Sequence, residues 1–267
     1  MDFAEPAPAK LNLALHVRGK LPDGRHRIET IFAFCTDGDR VAASAADHLS
    51  LQSVGPFASE IGAPEDNLVL KAARALREAA GVSHGAALTL TKNLPVAAGL
   101  GGGSADAAAT LRLLTRLWDI DPAHSSAVAP RLGSDVLACL LSMTARGDGA
   151  GDELQLVDAG VSDKPVLLIN PRAELSTAEV YSRWSGEDKG PLGDWWAGRN
   201  DLEPIAVEIV PLIGAVLAWL HVQPGVGFVR MSGSGATCFA LFDSAEARDA
   251  AETAVPREWW KLATFLR

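Results

Sequence analysis

Pro95-Val96-Ala97-Ala98-Gly99-Leu100-Gly101-Gly102-Gly103-Ser104-Ala105-Asp106-Ala107-Ala108 is the stretch from which the rest of the chain is best read. Four glycines in five positions give a backbone without Cβ atoms, able to take positive φ and to crowd against a ligand. Ser104 is a residue type that caps helices, and 105–117 is a run of good helix formers rich in Ala and Leu. A glycine loop feeding a helix start aims unpaired N–H groups and a positive dipole end at one point, where the usual anion is a phosphate. No Lys follows the glycines, so the pattern is not G-x-x-x-x-G-K-[ST]. Nor does it open a dinucleotide-binding unit in the usual way, since it follows the turn Lys92-Asn93-Leu94-Pro95. A flexible loop before a buried helix is the plainer reading. Three consecutive glycines between an apolar strand and a capped helix favour the phosphate.

Working outward, 86–91 reads as the strand before the loop, and 67–80 as a helix with Leu68, Ala72, Leu76 and Ala79 on one face. Asp66 or Asn67 caps that helix and Gly81 stops it. Segments 10–17, 28–35 and 48–53 read as strands. After the glycine loop, Asp121-Pro122 opens a helix to Leu132, and the Gly- and Asp-rich 147–151 reads as a loop near a domain boundary. Beyond it, 166–169, 228–231, 237–242 and 259–266 read as strands, and 176–184, 201–220 and 245–254 as helices. The polar stretch 185–198 is expected to be a mobile loop. Helices and hairpins interleave without a regular βαβ series, so the class is α+β.

At 267 residues the chain has room for one large domain or two modest ones. A net charge of −9 argues against broad nucleic-acid or anionic-membrane binding, so positive charge for a phosphate must be local. Cys35, Cys139 and Cys238 show no metal-like spacing and no even framework, which points to a reducing cytoplasm. The first ten residues lack the apolar core of a signal peptide. The apolar stretch 205–222 contains Glu208, Pro211 and Gly214 and reads as buried helix.

Four further clusters can carry chemistry. Lys10 and Asn12 share one face of the first strand, where they either hold an oxyanion or hydroxyl or form a solvated strand end. Asp135, in Gly133-Ser134-Asp135-Val136, is a helix cap or a general base. His26 follows the turn Asp23-Gly24-Arg25 and by itself reads as an exposed histidine. Met231-Ser232-Gly233-Ser234-Gly235-Ala236-Thr237 is either a plain turn or a close backbone approach to phosphate.

The glycine loop, Ala9-Lys10-Leu11-Asn12-Leu13 and 230–242 together resemble the three motifs of the GHMP small-molecule kinases. Asp-Gly-Arg-His at 23–26, Asp-Asn-Leu-Val at 66–69, Gly-Ser-Asp-Val at 133–136 and Arg-Asn-Asp-Leu-Glu at 199–203 extend the match along nearly the whole chain. It is closest to the branch that phosphorylates the 2-hydroxyl of a cytidine diphosphate-linked methylerythritol for isoprenoid precursors. Homoserine or mevalonate kinases, or a non-catalytic nucleotide-binding relative, are the alternatives. The resemblance implies a two-domain fold, 1–155 and 156–267, with the active site in the interdomain cleft and with ATP and Mg²⁺ required. It leaves the Mg²⁺ ligand and the oligomeric state unassigned. It implies Lys10 and Asp135 as the catalytic pair. Pro95, Val96, Ala97, Ala98, Gly99, Leu100, Gly101, Gly102, Gly103, Ser104 and Ala105 would cradle the ATP phosphates, with Asn67 and Lys92 near the base. Asn12, Arg25, His26, Thr177 and Tyr181 would bind substrate, His26 reading the cytosine edge and Tyr181 stacking on the ring. The family commonly has an aromatic residue where this chain has Arg25, and a Pro where it has Leu137.

Overall fold

The computed structural model describes residues 3–267, which divide into two compact units that interleave along the sequence. Residues through Lys10, with Asp37–Val96 and Gly101–Ser142, form the first; Leu11–Thr36, Ala97–Leu100 and Met143–Arg267 form the second. Strands β1 (Phe3–Lys20) and β2 (His26–Ala46) pair and are long enough to lend a part to each. Reading strands at 10–17 and 28–35 caught only the inner part of β1 and the first half of β2. Pro6 and Pro8 in β1, and the Asp37-Gly38-Asp39 run in β2, are residues that depress a strand assignment.

In the first unit, the later part of β2 runs antiparallel to β4 (Gly85–Thr91), Arg40 opposite Thr91, and β3 (Leu49–Val54) is parallel to β4. Alternation in β4 buries Ala86, Leu88 and Leu90. Four helices pack together here: α1 (Leu68–Ala80), α2 (Gly102–Leu117), α3 (Ala123–Leu132) and α4 (Val136–Leu141). Asn67 caps α1 by accepting from Val69 N at 2.8 Å, and Gly81 closes it at φ 65°. The cap of α2 is Gly101, at φ 62°, not Ser104, which lies inside the first turn. Without a Cβ, Gly101 takes the left-handed conformation that starts the helix three residues earlier than a serine cap would. Ala105, Ala107, Ala108 and Ala109 are buried, small enough to let neighbouring helices approach closely.

In the second unit, the early part of β2 pairs with β5 (Ala145–Asp148), which turns back into β6 (Glu153–Leu156). The Gly-rich 147–151 is therefore mostly the turn of a tight hairpin, its strands too short to show a period. A second sheet has the order β10-β7-β9-β8, all antiparallel: β7 (Pro165–Asn170), β8 (Val226–Met231), β9 (Cys238–Phe242) and β10 (Trp260–Phe265). Its core gathers Leu167, Ile169, Cys238, Ala240 and Phe242 with Leu202, Ile213, Val216 and Leu220. The helices are α5 (Thr177–Ser182), α6 (Glu203–Ile209), α7 (Pro211–His221) and α8 (Ala245–Ala254). The single helix expected over 201–220 is broken because Pro211 bars Val210 from the helical region, leaving it at φ −128°, ψ 88°. Segment 185–198 is irregular but tied down: Leu192 N donates to Glu29 Oε2 at 2.6 Å, and Arg18 holds Asp188. No helix among the described residues is long and apolar enough to cross a membrane.

Candidate active site

Lys10, the last residue of β1 in the first unit, is 4% exposed. Its ammonium lies 3.0 Å from Asp135 Oδ2. Asp135 precedes α4 but makes no capping bond to it, its carboxylate being turned to Lys10 instead. A Cβ on Gly101 would sit 2.9 Å from Lys10 Cε and 3.8 Å from Asp135 Oδ2. The ion pair is thus packed against the residue that starts α2, where the leading N–H groups of the helix lack intrahelical partners. Of the two readings of Lys10, the solvated strand end is excluded by burial.

Behind the same helix start lies Lys92. Its ammonium donates to Asp39 Oδ2 at 2.5 Å and Asp106 Oδ2 at 2.8 Å. Burial pulls the Lys92 pKa down, but the charges of Asp106 and Asp39 outweigh it and the net shift is upward. Asp39 also accepts from Asn93 N at 2.6 Å and Leu94 N at 2.9 Å, fixing the chain just before Pro95. Asn67 reaches the loop through its neighbour: Leu68 Cδ1 lies 3.5 Å from a Cβ built on Gly103.

The second unit holds the middle of the glycine loop. Ala97 is at φ 52° and Gly99 at φ 76°. Ser232 Oγ donates to Gly99 O at 2.9 Å and Thr237 N to Ala98 O at 3.2 Å. A Cβ on Gly99 would come 2.5 Å from Ser232 O, so no other residue fits. The turn 231–237 is therefore a bed for the loop backbone, a use neither sequence reading named. Asn12 N donates to Ser232 Oγ at 3.2 Å, and Asn12 Nδ2 to Thr30 Oγ1 at 2.8 Å.

In the same unit, His26 sits between two rings of the α5 segment. Tyr181 lies 4.7 Å away, tilted by 35°, and Trp184 meets it edge-on at 5.5 Å. His26 Nε2 is buried with no hydrogen-bond partner. Burial, with the Lys20 charge adding, holds the imidazole below the usual histidine pKa, so it is neutral at pH 7. Thr177 Oγ1 is 2.8 Å from Ser234 Oγ, which joins α5 to the turn 231–237. Arg25 stays on the surface, its Nε 2.7 Å from Asp23 Oδ2 and its Nη1 3.3 Å from Asp152 Oδ2.

Asp39 and Trp184 escaped the sequence reading, while Asp106 and Ser232 stood inside quoted motifs without a role of their own. Asp106 lay inside the quoted loop-helix stretch, where an acid after three glycines and a serine in an apolar helix was the available signal. Asp39 had none, since its partner is 53 residues away in sequence.

The first unit has a buried lysine–carboxylate pair beside an open helix start; the second unit, by itself, has an aromatic recess with one unsatisfied ring nitrogen. Comparison with known proteins agrees. The GHMP kinases N terminal domain matches residues 67–143 and the GHMP kinases C terminal matches 188–262. A 4-diphosphocytidyl-2-C-methyl-D-erythritol kinase of Rhizorhabdus wittichii is 50% identical over 100% of this chain and 96% of its own length. One from Novosphingobium aromaticivorans is 48% identical over 100% and 94%. A solved 4-(cytidine 5'-diphospho)-2C-methyl-D-erythritol kinase superposes with a TM-score of 0.85 at 31% identity, covering 100% of this chain and 99% of the other.

Proposed function

The chain belongs to the GHMP kinases, in the branch of the 4-diphosphocytidyl-2-C-methyl-D-erythritol kinases, and on that premise we propose how its residues perform the transfer. The reaction moves the γ-phosphoryl group of ATP to the 2-hydroxyl of the cytidyl substrate, in isoprenoid precursor synthesis. The observation that carries the assignment is the 3.0 Å Lys10–Asp135 pair seated on Gly101.

Phosphoryl transfer asks the protein chiefly for position and charge stabilisation. Residues Pro95 to Ala105 hold the phosphates, with the open N–H groups at the start of α2 facing them. Asp135 Oδ2 accepts the proton of the 2-hydroxyl as its oxygen bonds to the γ-phosphorus and the bond to the β–γ bridging oxygen breaks, releasing ADP. Lys10, 3.0 Å away, holds the Asp135 carboxylate in place and offsets charge on the transferring group. Asn67 and Lys92 support the nucleotide side, Lys92 through its place behind Gly102. Asn12 and Thr177 orient the polyol end, Tyr181 stacks on cytosine, and His26 Nε2 takes up a hydrogen bond from the base edge. Arg25, engaged by Asp23 and Asp152, contributes charge at the rim of this recess.

Mg²⁺ bound with ATP neutralises phosphate charge. Among the described residues no cluster of three or more His, Cys, Asp or Glu could hold a metal ion. The matched regions 67–143 and 188–262 support an N-terminal and a C-terminal kinase domain with 155 lying between them, while the compact units of the fold interleave across that point. Three scattered, buried cysteines without metal-like spacing support a reducing, cytoplasmic setting.

The test is ADP release from Mg-ATP with 4-diphosphocytidyl-2-C-methyl-D-erythritol, run beside homoserine and mevalonate. Turnover with the cytidyl compound alone is expected. Turnover only with another alcohol, or none in a protein that binds ATP, would overturn the substrate assignment.

A further inference from the structure

The Asp39–Lys92–Asp106 cluster of the first unit has an imbalance that the transfer step does not use. Two carboxylates share one ammonium, and all three side chains are nearly dry, at 0%, 5% and 4% exposed. Asp39 is fully engaged: Oδ2 accepts from Lys92 Nζ, and Oδ1 from the backbone N–H groups of Asn93 and Leu94. Asp106 has one oxygen on Lys92, while its Oδ1 is buried and has no hydrogen-bond partner. With every group ionised the cluster would carry an excess negative charge in a low-dielectric interior. A proton relieves that charge, and the unpartnered Oδ1 is the place left for it.

The location gives the imbalance a consequence. A Cβ on Gly102 would lie 2.9 Å from Lys92 Nζ and 3.5 Å from Asp39 Oδ2. The cluster therefore backs directly onto the first residue of α2, and Asp106 follows one turn later on the same helix. An anion docked at that helix start brings its own negative charge close to the cluster and further disfavours ionised Asp106.

We propose that the Asp39–Lys92–Asp106 cluster takes up a proton, on Asp106, when a nucleotide polyphosphate docks at the start of α2, and that this uptake sets the pH dependence of nucleotide affinity. The cluster passes from net negative to neutral, and Lys92 is left as an effective positive charge behind the phosphates. Burial, with Asp39 adding and Lys92 opposing, pushes the Asp106 carboxyl up to about 7, so the free protein is poised between the two states near neutral pH. Around α2, the Lys10–Asp135 ion pair lies against Gly101, α3 carries His124, and α1 carries Arg77 and Glu78. From α4 comes the Cys139 thiol, which burial keeps protonated. Helices α1 and α3 bury Leu76 and Val128 and keep Lys71, Arg74 and Arg131 exposed. The next charge on α2 itself, Arg112, is held by Glu5.

The sign follows from linkage. The bound state holds more protons than the free state above pH 7, so affinity falls as pH rises, by up to about tenfold per pH unit. The inference rests on the kinase reading only for the identity of the anion. The experiment is calorimetric titration of the full chain with Mg-ATP, without an alcohol acceptor, at pH 7.5 in buffers of different ionisation enthalpy. Wild-type protein should take up about half a proton or more per ATP. Asp106→Asn keeps the shape and removes the titration, so its uptake should vanish and its affinity stay flat from pH 6.5 to about 8.5. If Asp106→Asn does not fold, the infrared band of a protonated carboxyl in wild type should grow on adding Mg-ATP at about pH 8. ATP binding with no uptake in wild type, or with equal uptake in the variant, would overturn this inference and leave the kinase reading intact. Failure to bind ATP would overturn both.

Discussion

His26 Nε2, buried without a partner beside Tyr181 and Trp184, is a ring nitrogen that a ligand must satisfy. An unpaired buried polar atom costs about 1–3 kcal/mol, so a hydrogen bond made there on binding is worth roughly 5- to 150-fold in affinity. His26→Ala should therefore raise KM for the cytidyl substrate by about tenfold or more and leave kcat within a few-fold. A kcat loss at unchanged KM would place His26 in the transfer step instead. Because burial depresses its pKa, the neutral ring is retained at and above the usual histidine value. KM for the cytidyl substrate should then be flat above about pH 6.5 and climb only on acidification below it. At this scale the sequence was legible where chemistry is written in residue type: Lys10 and Asp135 are found together, as their motifs suggest. It was silent on Trp184, because an aromatic residue after a short helix has many uses and only the fold places it against His26.

Among the elements, the first turn of α2 carries most of the proposed chemistry. Gly101 holds φ 62° and presses on Lys10, so a methyl group there is opposed twice, by the left-handed backbone and by Lys10 Cε at 2.9 Å. Gly101→Ala should cost roughly 1–2 kcal/mol from the backbone alone. It should also lower kcat by roughly 10- to 100-fold through displacement of Lys10, with ATP still bound. Wild-type turnover at a lowered Tm would show that Gly101 serves the helix start and not the ion pair. Elements framed by local signals were readable: α1 between Asn67 and Gly81, and α8 over its full length. The start of α2 was misplaced, since a glycine in the left-handed region and a serine both begin helices and sequence does not rank them. The β5–β6 hairpin was missed because four-residue strands are stabilised by pairing with β2, not by their own pattern.

Across the whole molecule, long-range contacts decide what a linear reading cannot reach. Arg230 in the second unit donates to Leu13 O and Gly198 O at 2.5 Å and to Trp195 O at 3.2 Å, joining three distant segments. Burial pulls its pKa down to about 10, and it remains charged at pH 7. Arg230→Met should strand these carbonyls and lower stability by about 3 kcal/mol or more, seen as a fall in Tm. An unchanged Tm would mean that water or neighbouring donors replace it. The fold class was legible from interleaved helices and hairpins. The assignment of Leu11–Thr36 and Ala97–Leu100 to a unit with the C-terminal half was not, because nothing local marks where β1, β2 and the glycine loop pass from one unit to the other. The proposed mechanism rests on Asp135 accepting the hydroxyl proton beside Lys10. The direct test is steady-state turnover and ATP affinity of Asp135→Asn with the cytidyl substrate. Turnover should fall by about 100-fold or more, in line with loss of a general base, while the ATP Kd stays within about twofold. Near-wild-type turnover would contradict the role of Asp135 and the mechanism built on it.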